Sequence, residues 1–178
     1  MSSLLAGLWR LRSRLDLRRP VVGSVAVRHV DAGSCNGCEH ELNALFGPHY
    51  DGQRHGVNIV ASPRHADILL VSGAVTTNMA DALQRVHGSM PLPKTVVAFG
   101  NCALGANLLG EPAVCGRGVA DSLPVDLGIV GCPPTPDDLA RGLVAAMNLR
   151  QPDGGEGNSV DGVFGESGEF HRVEAFDP

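Results

Sequence analysis

Four cysteines are the residues of this chain best suited to chemistry. Cys35 and Cys38 form a Cys-x-x-Cys pair, and Cys102 and Cys132 follow as single residues. Each lies in a Gly- or Pro-marked loop that comes after an apolar, strand-like run. Thiolates bind soft metals, and four of them hold either a zinc ion or a cubane iron-sulfur cluster. The pattern therefore indicates a metal or cluster site.

The spacing favours a cluster over zinc and leaves other interpretations open. Structural zinc usually takes two close pairs, whereas this chain has one pair and two remote cysteines. Buried inert cysteines are a second interpretation. A thioredoxin-like redox pair at Cys35 and Cys38 is a third, which leaves Cys102 and Cys132 unexplained. The fifth cysteine, Cys115, has no strand-end placement, and we predict that it is not a ligand.

Alternating strands and helices are predicted to position these loops. The predicted strands cover residues 21–30, 57–61, 67–71, 95–99 and 127–130, and the predicted helices cover 39–46, 76–86 and 136–148. This alternation predicts an α/β domain with a doubly wound, mostly parallel sheet. Since parallel strands end at one edge, where ligands bind in open α/β folds, the cysteine loops should converge there.

Charge and composition divide the chain of 178 residues into three parts. Residues 1–20 contain five arginines against one aspartate, and leucines at helical spacing predict a basic amphipathic segment. Residues 21–150 are predicted to be the α/β domain with the cysteine site. Residues 151–178 contain seven acids against one arginine and many glycines, which predicts a disordered tail.

Several classes of protein are disfavoured by what the sequence contains. The net charge of -5 and the lack of a basic surface pattern argue against a nucleic-acid partner. The N-terminal region has neither a secretory signal nor an apolar run of membrane-spanning length, so we expect a cytoplasmic protein. No nucleophile, general base or phosphate-loop motif is evident, so we expect no catalytic residue.

Four ordered motifs then resemble a known family, and the match runs from about Val25 to Met147. They are residues 33–41, 62–67, 100–103 and 131–136. Together they resemble the small electron-transfer subunit of membrane-bound NiFe hydrogenases of the hydrogenase-3 or formate hydrogenlyase type. That subunit is similar to the 20 kDa subunit of respiratory complex I. Its complex I branch has adjacent cysteines where this chain has Cys-x-x-Cys, which points to the hydrogenase branch.

The resemblance implies a flavodoxin-like core that binds one 4Fe-4S cluster. Its ligands would be Cys35, Cys38, Cys102 and Cys132. Glu41 matches an acidic position of the family beside the cluster and the subunit interface, and a helix-surface salt bridge is its other interpretation. Arg64 would pair with Glu41 or cap the following strand. Departures from the family pattern at His40, Ala74 and Ala106 leave the four cysteines untouched.

The resemblance also implies a function and partners. The chain would relay electrons to or from a NiFe-type catalytic large subunit, alongside a ferredoxin-like iron-sulfur subunit and an integral membrane subunit. It would lie on the inner face of the cell membrane through its complex. A complex I-like subunit that passes electrons to quinone is one alternative. A zinc-stabilised, non-redox binding module is another.

Overall fold

A central sheet organises the part of the chain that the structure describes. The structure, a computed structural model, describes residues 23–106 and 114–149 and two short strands beyond them. The strands are β1 (Val25–Asp31), β2 (Val57–Ile59), β3 (Ile68–Ser72), β4 (Thr95–Phe99), β5 (Leu127–Ile129), β6 (Val163–Phe164) and β7 (Phe170–His171). Their order is β2-β1-β3-β4-β5-β6-β7, and every neighbouring pair is parallel except β6 with β7.

Three helices connect these strands. They are α1 (Gly37–Leu45), α2 (Thr77–Ser89) and α3 (Pro136–Leu149). The first five strands follow the order 2-1-3-4-5, which is the flavodoxin-like arrangement of doubly wound sheets. The predicted fold class is therefore confirmed. The predicted strand at 95–99 coincides with β4, and the other described elements differ from their predicted bounds by a few residues.

The central strands are buried on both faces. Every residue of β3 and β4 is buried, as expected for continuous apolar runs in a parallel sheet. One core cluster joins the sheet to α1 and α3 through Leu42, Phe99 and Leu143. A second cluster on the opposite face joins it to α2 through Leu69 and Leu83. This double-sided packing holds the strand ends, and hence the loops after them, in fixed positions.

The loop after β3 packs directly against the loop after β1. Gly73 has a positive φ of 86°, which L side chains rarely adopt. A Cβ at Gly73 would lie 2.6 Å from the carbonyl carbon of Gly33 and 2.7 Å from the nitrogen of Ser34. Ser34 directly precedes Cys35, so this backbone contact helps to set where the first cysteine loop leaves the sheet.

The two ends of the chain are described only in part. The predicted basic segment at 1–20 lies outside the described residues. Strands β6 and β7 fall within the predicted tail. Strand β6 pairs with β5, and β7 pairs with β6. The rest of 151–178 lies outside the described residues, so the predicted disorder there stays a prediction. Among the described helices, none has the length and apolar character needed to cross a membrane.

The backbone contact at Gly73 generates a prediction about stability. We expect Gly73→Ala to lower the free energy of unfolding by about 2 kcal/mol, because the new methyl group meets backbone that cannot rotate away and the φ is strained. Urea denaturation of the full chain measures the change. The control is Gly88→Ala, since a Cβ on that α2 residue meets nothing within 4 Å. Equal stability of Gly73→Ala and wild type would contradict the account.

Candidate metal centre

The first cysteine loop is shaped by hydrogen bonds from its own polar side chains. Oδ1 of Asp31 accepts hydrogen bonds from the backbone N–H groups of Gly33 and Ser34, each at 2.8 Å. Oγ of Ser34 accepts another from the N–H of Asn36 at 3.0 Å. Asn36 has a left-handed φ of 67°, and α1 begins at the next residue. This turn places Cys38 in the first turn of α1, where the positive end of the helix dipole favours thiolates.

The loops that carry Cys102 and Cys132 are joined by backbone and side-chain hydrogen bonds. The N–H of Asn101 donates to the carbonyl of Gly131 at 2.8 Å. In return, the N–H of Gly131 donates to Oδ1 of Asn101 at 2.9 Å. The N–H of Gly100 also bonds the carbonyl of Ile129, the last residue of β5, at 2.9 Å. These reciprocal bonds fix the two single cysteines relative to each other.

Gly100 lets two cysteine loops approach closely, and Gly37 lies next to a second contact between loops. A Cβ at Gly100, whose φ is 90°, would lie 2.5 Å from Sγ of Cys38, so only glycine leaves room for that sulfur. Sγ of Cys38 also lies 3.9 Å from the carbonyl oxygen of Phe99. A Cβ at Gly37 would lie 3.5 Å from Sγ of Cys35 and 3.8 Å from Pro133, the neighbour of Cys132. The three loops therefore meet at the carboxyl edge of the sheet.

The other three cysteines of the site act electrostatically on Cys38. The pKa of Cys38 is raised to about 12, first by burial, then by Glu39, and then by Cys102, Cys35 and Cys132. Without a bound cation this thiol stays protonated at neutral pH. A metal that binds here displaces the proton, since ligation requires the thiolate. Cys115 is not among the groups that act on Cys38.

The site has a buried side and an exposed side. Cys102 is buried and Cys38 is half-buried, whereas Cys35 and Cys132 are exposed. Cys115 is buried as well, and it packs with Cys102 and Ala74 in a small cluster of its own. The structure thus places the fifth cysteine behind Cys102, which its sequence context did not indicate.

A network around Glu39 lies beside Cys38 and was missed in the sequence. Oε2 of Glu39 accepts a hydrogen bond from Ser34 Oγ at 2.7 Å, and Oε1 accepts one from Ser72 Oγ. Nε2 of His29 lies 3.0 Å from Ser72 Oγ and 3.6 Å from Oε1 of Glu39. One signal was available: His29 interrupts the apolar run of β1, and a polar residue inside a buried strand usually has a partner.

Glu41 and Arg64 are not part of the hydrogen-bond network around Glu39. The carboxylate of Glu41 acts on Tyr50, whose pKa is raised by burial first and then by Asp137 and Glu41. Arg64 is exposed in a 3-10 turn that precedes β3, at the amino edge of the sheet. No ion pair joins Glu41 to Arg64 in the described residues. The structure therefore brings together the four cysteines and Glu39, and it leaves Arg64 at the opposite edge.

The residues present fit a group held by four thiolates. The donors are uniform in type, they come from three loops at one edge, and Gly100 leaves the space that the Cys38 sulfur needs. Across residues 23–106 and 114–149, no three His, Cys, Asp or Glu side chains are arranged around a single metal-ion position. Cysteine thiolates in a cubane cluster each ligate a different iron, so this donor set suits such a group.

The described part of the chain is an α/β domain with a flavodoxin-like sheet and four cysteines in loops at the carboxyl edge of that sheet. The chain belongs to the family described as the 20 kDa subunit of NADH ubiquinone oxidoreductase, which matches residues 35–146. This confirms the family that the four motifs indicated.

Two sequence relatives and one solved structure are similar to this chain. A probable membrane-bound hydrogenase subunit of Pyrococcus furiosus is 41% identical over 139 residues, 78% of this chain and 83% of that protein. Formate hydrogenlyase subunit 7 of Escherichia coli is 39% identical over 136 residues, which cover 76% of this chain and 53% of that protein. A chain of the archaeal membrane-bound sulfane sulfur reductase superimposes with a TM-score of 0.61 and 27% identity, covering 74% of each chain.

The contact between Gly100 and Cys38 predicts that a side chain at position 100 weakens metal binding at the site. We expect Gly100→Ala to lower metal affinity about tenfold or more, because the added Cβ displaces Sγ of Cys38. Bound iron per chain after anaerobic purification measures this. The control is Gly23→Ala, which has a similar positive φ of 113° but meets nothing within 4 Å. Equal iron loss in both variants would show that backbone strain, and not the Cys38 contact, is responsible.

The raised pKa of Cys38 predicts slow alkylation of this thiol in the metal-free protein. Because only the thiolate reacts, the rate should rise about tenfold per pH unit from about pH 7 to about pH 9.5 without levelling off. Mass spectrometry after iodoacetamide treatment measures the rate at this residue. A rate that levels off below pH 9 would contradict the burial and charge assigned to Cys38.

Proposed function

We propose that the chain is an electron-transfer subunit that binds one 4Fe-4S cluster in a membrane-associated oxidoreductase complex. The observation that carries this proposal is the meeting of three cysteine loops at one sheet edge, with Cys38 seated against Gly100. The chain belongs to a family of oxidoreductase subunits, and this supports a redox role for the site. When bound, the cluster would supply the one-electron chemistry.

The chain's own residues would ligate this cluster and control its surroundings. Cys35, Cys38, Cys102 and Cys132 are the proposed ligands, and Cys115 packs behind Cys102 without ligating. Burial of Cys102 and the packing of Phe99 under the loops keep water from the inner side. The exposed cysteines, Cys35 and Cys132, leave the outer side open to a partner. Electrons would therefore enter or leave on the side of these two residues.

The proposed partners follow from the similar proteins. We propose a NiFe-type large subunit as the catalytic partner, with a ferredoxin-like iron-sulfur subunit and an integral membrane subunit in the same complex. The similarity to a membrane-bound hydrogenase subunit and to formate hydrogenlyase subunit 7 supports this assignment. The chain would lie in the cytoplasm, on the inner face of the cell membrane. Catalysis would belong to the large subunit, and this chain would provide no catalytic residue.

A quinone-linked complex is the second candidate, because the family also includes the 20 kDa subunit of NADH ubiquinone oxidoreductase. The Cys-x-x-Cys spacing of Cys35 and Cys38 favours the hydrogenase branch, since the complex I branch has adjacent cysteines. Assays of the assembled complex distinguish the two candidate functions. The hydrogenase assignment predicts that the complex transfers electrons between hydrogen and a viologen dye. Electron transfer to a quinone analogue without any hydrogen-linked activity would favour the complex I-like alternative.

Single-cysteine variants test the ligand assignment. We expect Cys102→Ser and Cys132→Ser to lose the cluster, because cluster binding needs all four thiolates. Cys115→Ser is the matched control and should retain it, since Cys115 is buried to a similar extent but is not a proposed ligand. Iron and acid-labile sulfide per chain are measured after anaerobic purification of each full-length variant.

Two outcomes would contradict this assignment. Cluster loss in Cys115→Ser that equals the loss in Cys102→Ser would show that the ligand set is wrong. Wild-type protein that contains zinc and no sulfide would overturn both electron-transfer functions and favour a zinc-stabilised binding module.

A further inference from the structure

The carboxylate of Glu39 is held in one position beside the proposed cluster ligands. Ser34 donates to one carboxylate oxygen and Ser72 to the other, so both oxygens are engaged by hydroxyl groups. Ser72 is fully buried at the end of β3. The Glu39 side chain is only 19% exposed, and it lies in the first turn of α1. A carboxylate with so little freedom keeps a constant distance from the neighbouring Cys38.

The hydrogen bonds fix where the protons of this network lie. Ser72 has one hydroxyl proton, and it donates that proton to Glu39. The 3.0 Å contact between Ser72 Oγ and His29 then requires a proton on Nε2 of His29. His29 also packs edge-on against Phe99, with ring centroids 5.8 Å apart. The imidazole thus orients the Ser72 hydroxyl from the apolar side of the network.

The network joins one carboxylate to a neutral imidazole and two hydroxyl groups. Burial lowers the pKa of His29, against the opposing effect of the Glu39 and Asp31 carboxylates, so the imidazole is neutral. No ion pair with lysine or arginine involves Glu39 in the described part of the chain. The carboxylate of Glu39 is therefore held by hydroxyl groups rather than by a cationic side chain in that part. Its field reaches the site, because Glu39 directly follows Cys38 in the first turn of α1.

We propose that the Glu39 carboxylate is a fixed negative charge that lowers the reduction potential of the cluster ligated by Cys38, a role that rests on the proposed function. Reduction adds one electron to the cluster, and a nearby negative charge raises the energy of the reduced form more than that of the oxidised form. Cluster potentials depend on such local charge and hydrogen bonding. Ser34, Ser72 and His29 are positioning residues, since they act by holding this carboxylate.

Glu39→Gln tests the charge while keeping a side chain of the same size. In an anaerobic redox titration of the full chain followed by EPR, we expect its midpoint potential to become more positive. The equilibrium constant for reduction should rise about tenfold, which corresponds to about 59 mV for one electron. Glu39→Asp restores the charge and should return most of the shift. This rescue would not follow if Glu39 served only to stabilise the helix.

Glu41→Gln is the matched control, because it removes the same charge two residues further along α1. Glu41 acts on Tyr50 and is not among the groups that act on Cys38, so its removal should leave the potential almost unchanged. Ser72→Ala provides a second variant if Glu39→Gln fails to retain iron. It keeps the carboxylate but removes the hydroxyl that holds one of its oxygens, so the carboxylate can move away from Cys38 and we expect a smaller shift in the same direction.

The outcomes separate this inference from the proposed function. A positive shift in Glu39→Gln, with little change in Glu41→Gln, supports it. An unchanged potential in Glu39→Gln overturns the inference while the cluster assignment stands, as do equal shifts in the two glutamine variants. A wild-type chain that binds no iron-sulfur cluster overturns the proposed function, and the inference with it.

Discussion

The seating of the Cys38 sulfur against Gly100 is the contact on which the site depends. It joins the loop after β1 to the loop after β4, and hydrogen bonds from Asn101 then join the loop after β4 to the loop after β5. A side chain at Gly100 would occupy the position of the sulfur, and the Cys38 loop would have to move away. The parallel sheet is what makes this contact possible, since it ends all three strands at one edge. The fold thus brings together cysteines that lie far apart in the sequence.

The same arrangement explains the electrostatics of the site. Burial and neighbouring negative groups disfavour the Cys38 thiolate, so this thiol is protonated at neutral pH when no metal is bound. The proposed cluster would supply the positive charge that offsets four thiolates in this confined space. Glu39 adds a carboxylate that forms no ion pair with a lysine or arginine among residues 23–106 and 114–149, and its hydroxyl partners come from two different strand ends. The site therefore has the Glu39 carboxylate beside its half-buried cysteine, Cys38, and exposed cysteines, Cys35 and Cys132, on its outer side.

Much of the fold was predictable from the sequence because its central strands are buried on both faces. The run Thr95–Phe99 is apolar throughout apart from its first residue, and the predicted strand coincides with β4. The start of α1 was placed two residues too late, because the left-handed conformation of Asn36 that begins the helix leaves no periodic signal. The convergence of the cysteine loops followed from strand order alone. The Glu39 network did not, because Ser72 lies 33 residues from Glu39 and His29 lies 43 residues from Ser72. Arg64 was proposed from a motif that resembles the family pattern, and the structure places it at the opposite edge of the sheet.

Mössbauer spectroscopy with chemical analysis of the anaerobically purified full chain tests the central claim most directly. Four thiolates on three loops, meeting at one sheet edge, should yield about four iron and about four sulfide per chain, with a single cubane spectrum that becomes paramagnetic on one-electron reduction. A chain that contains one zinc without sulfide, or iron in a mononuclear thiolate site, would contradict the account.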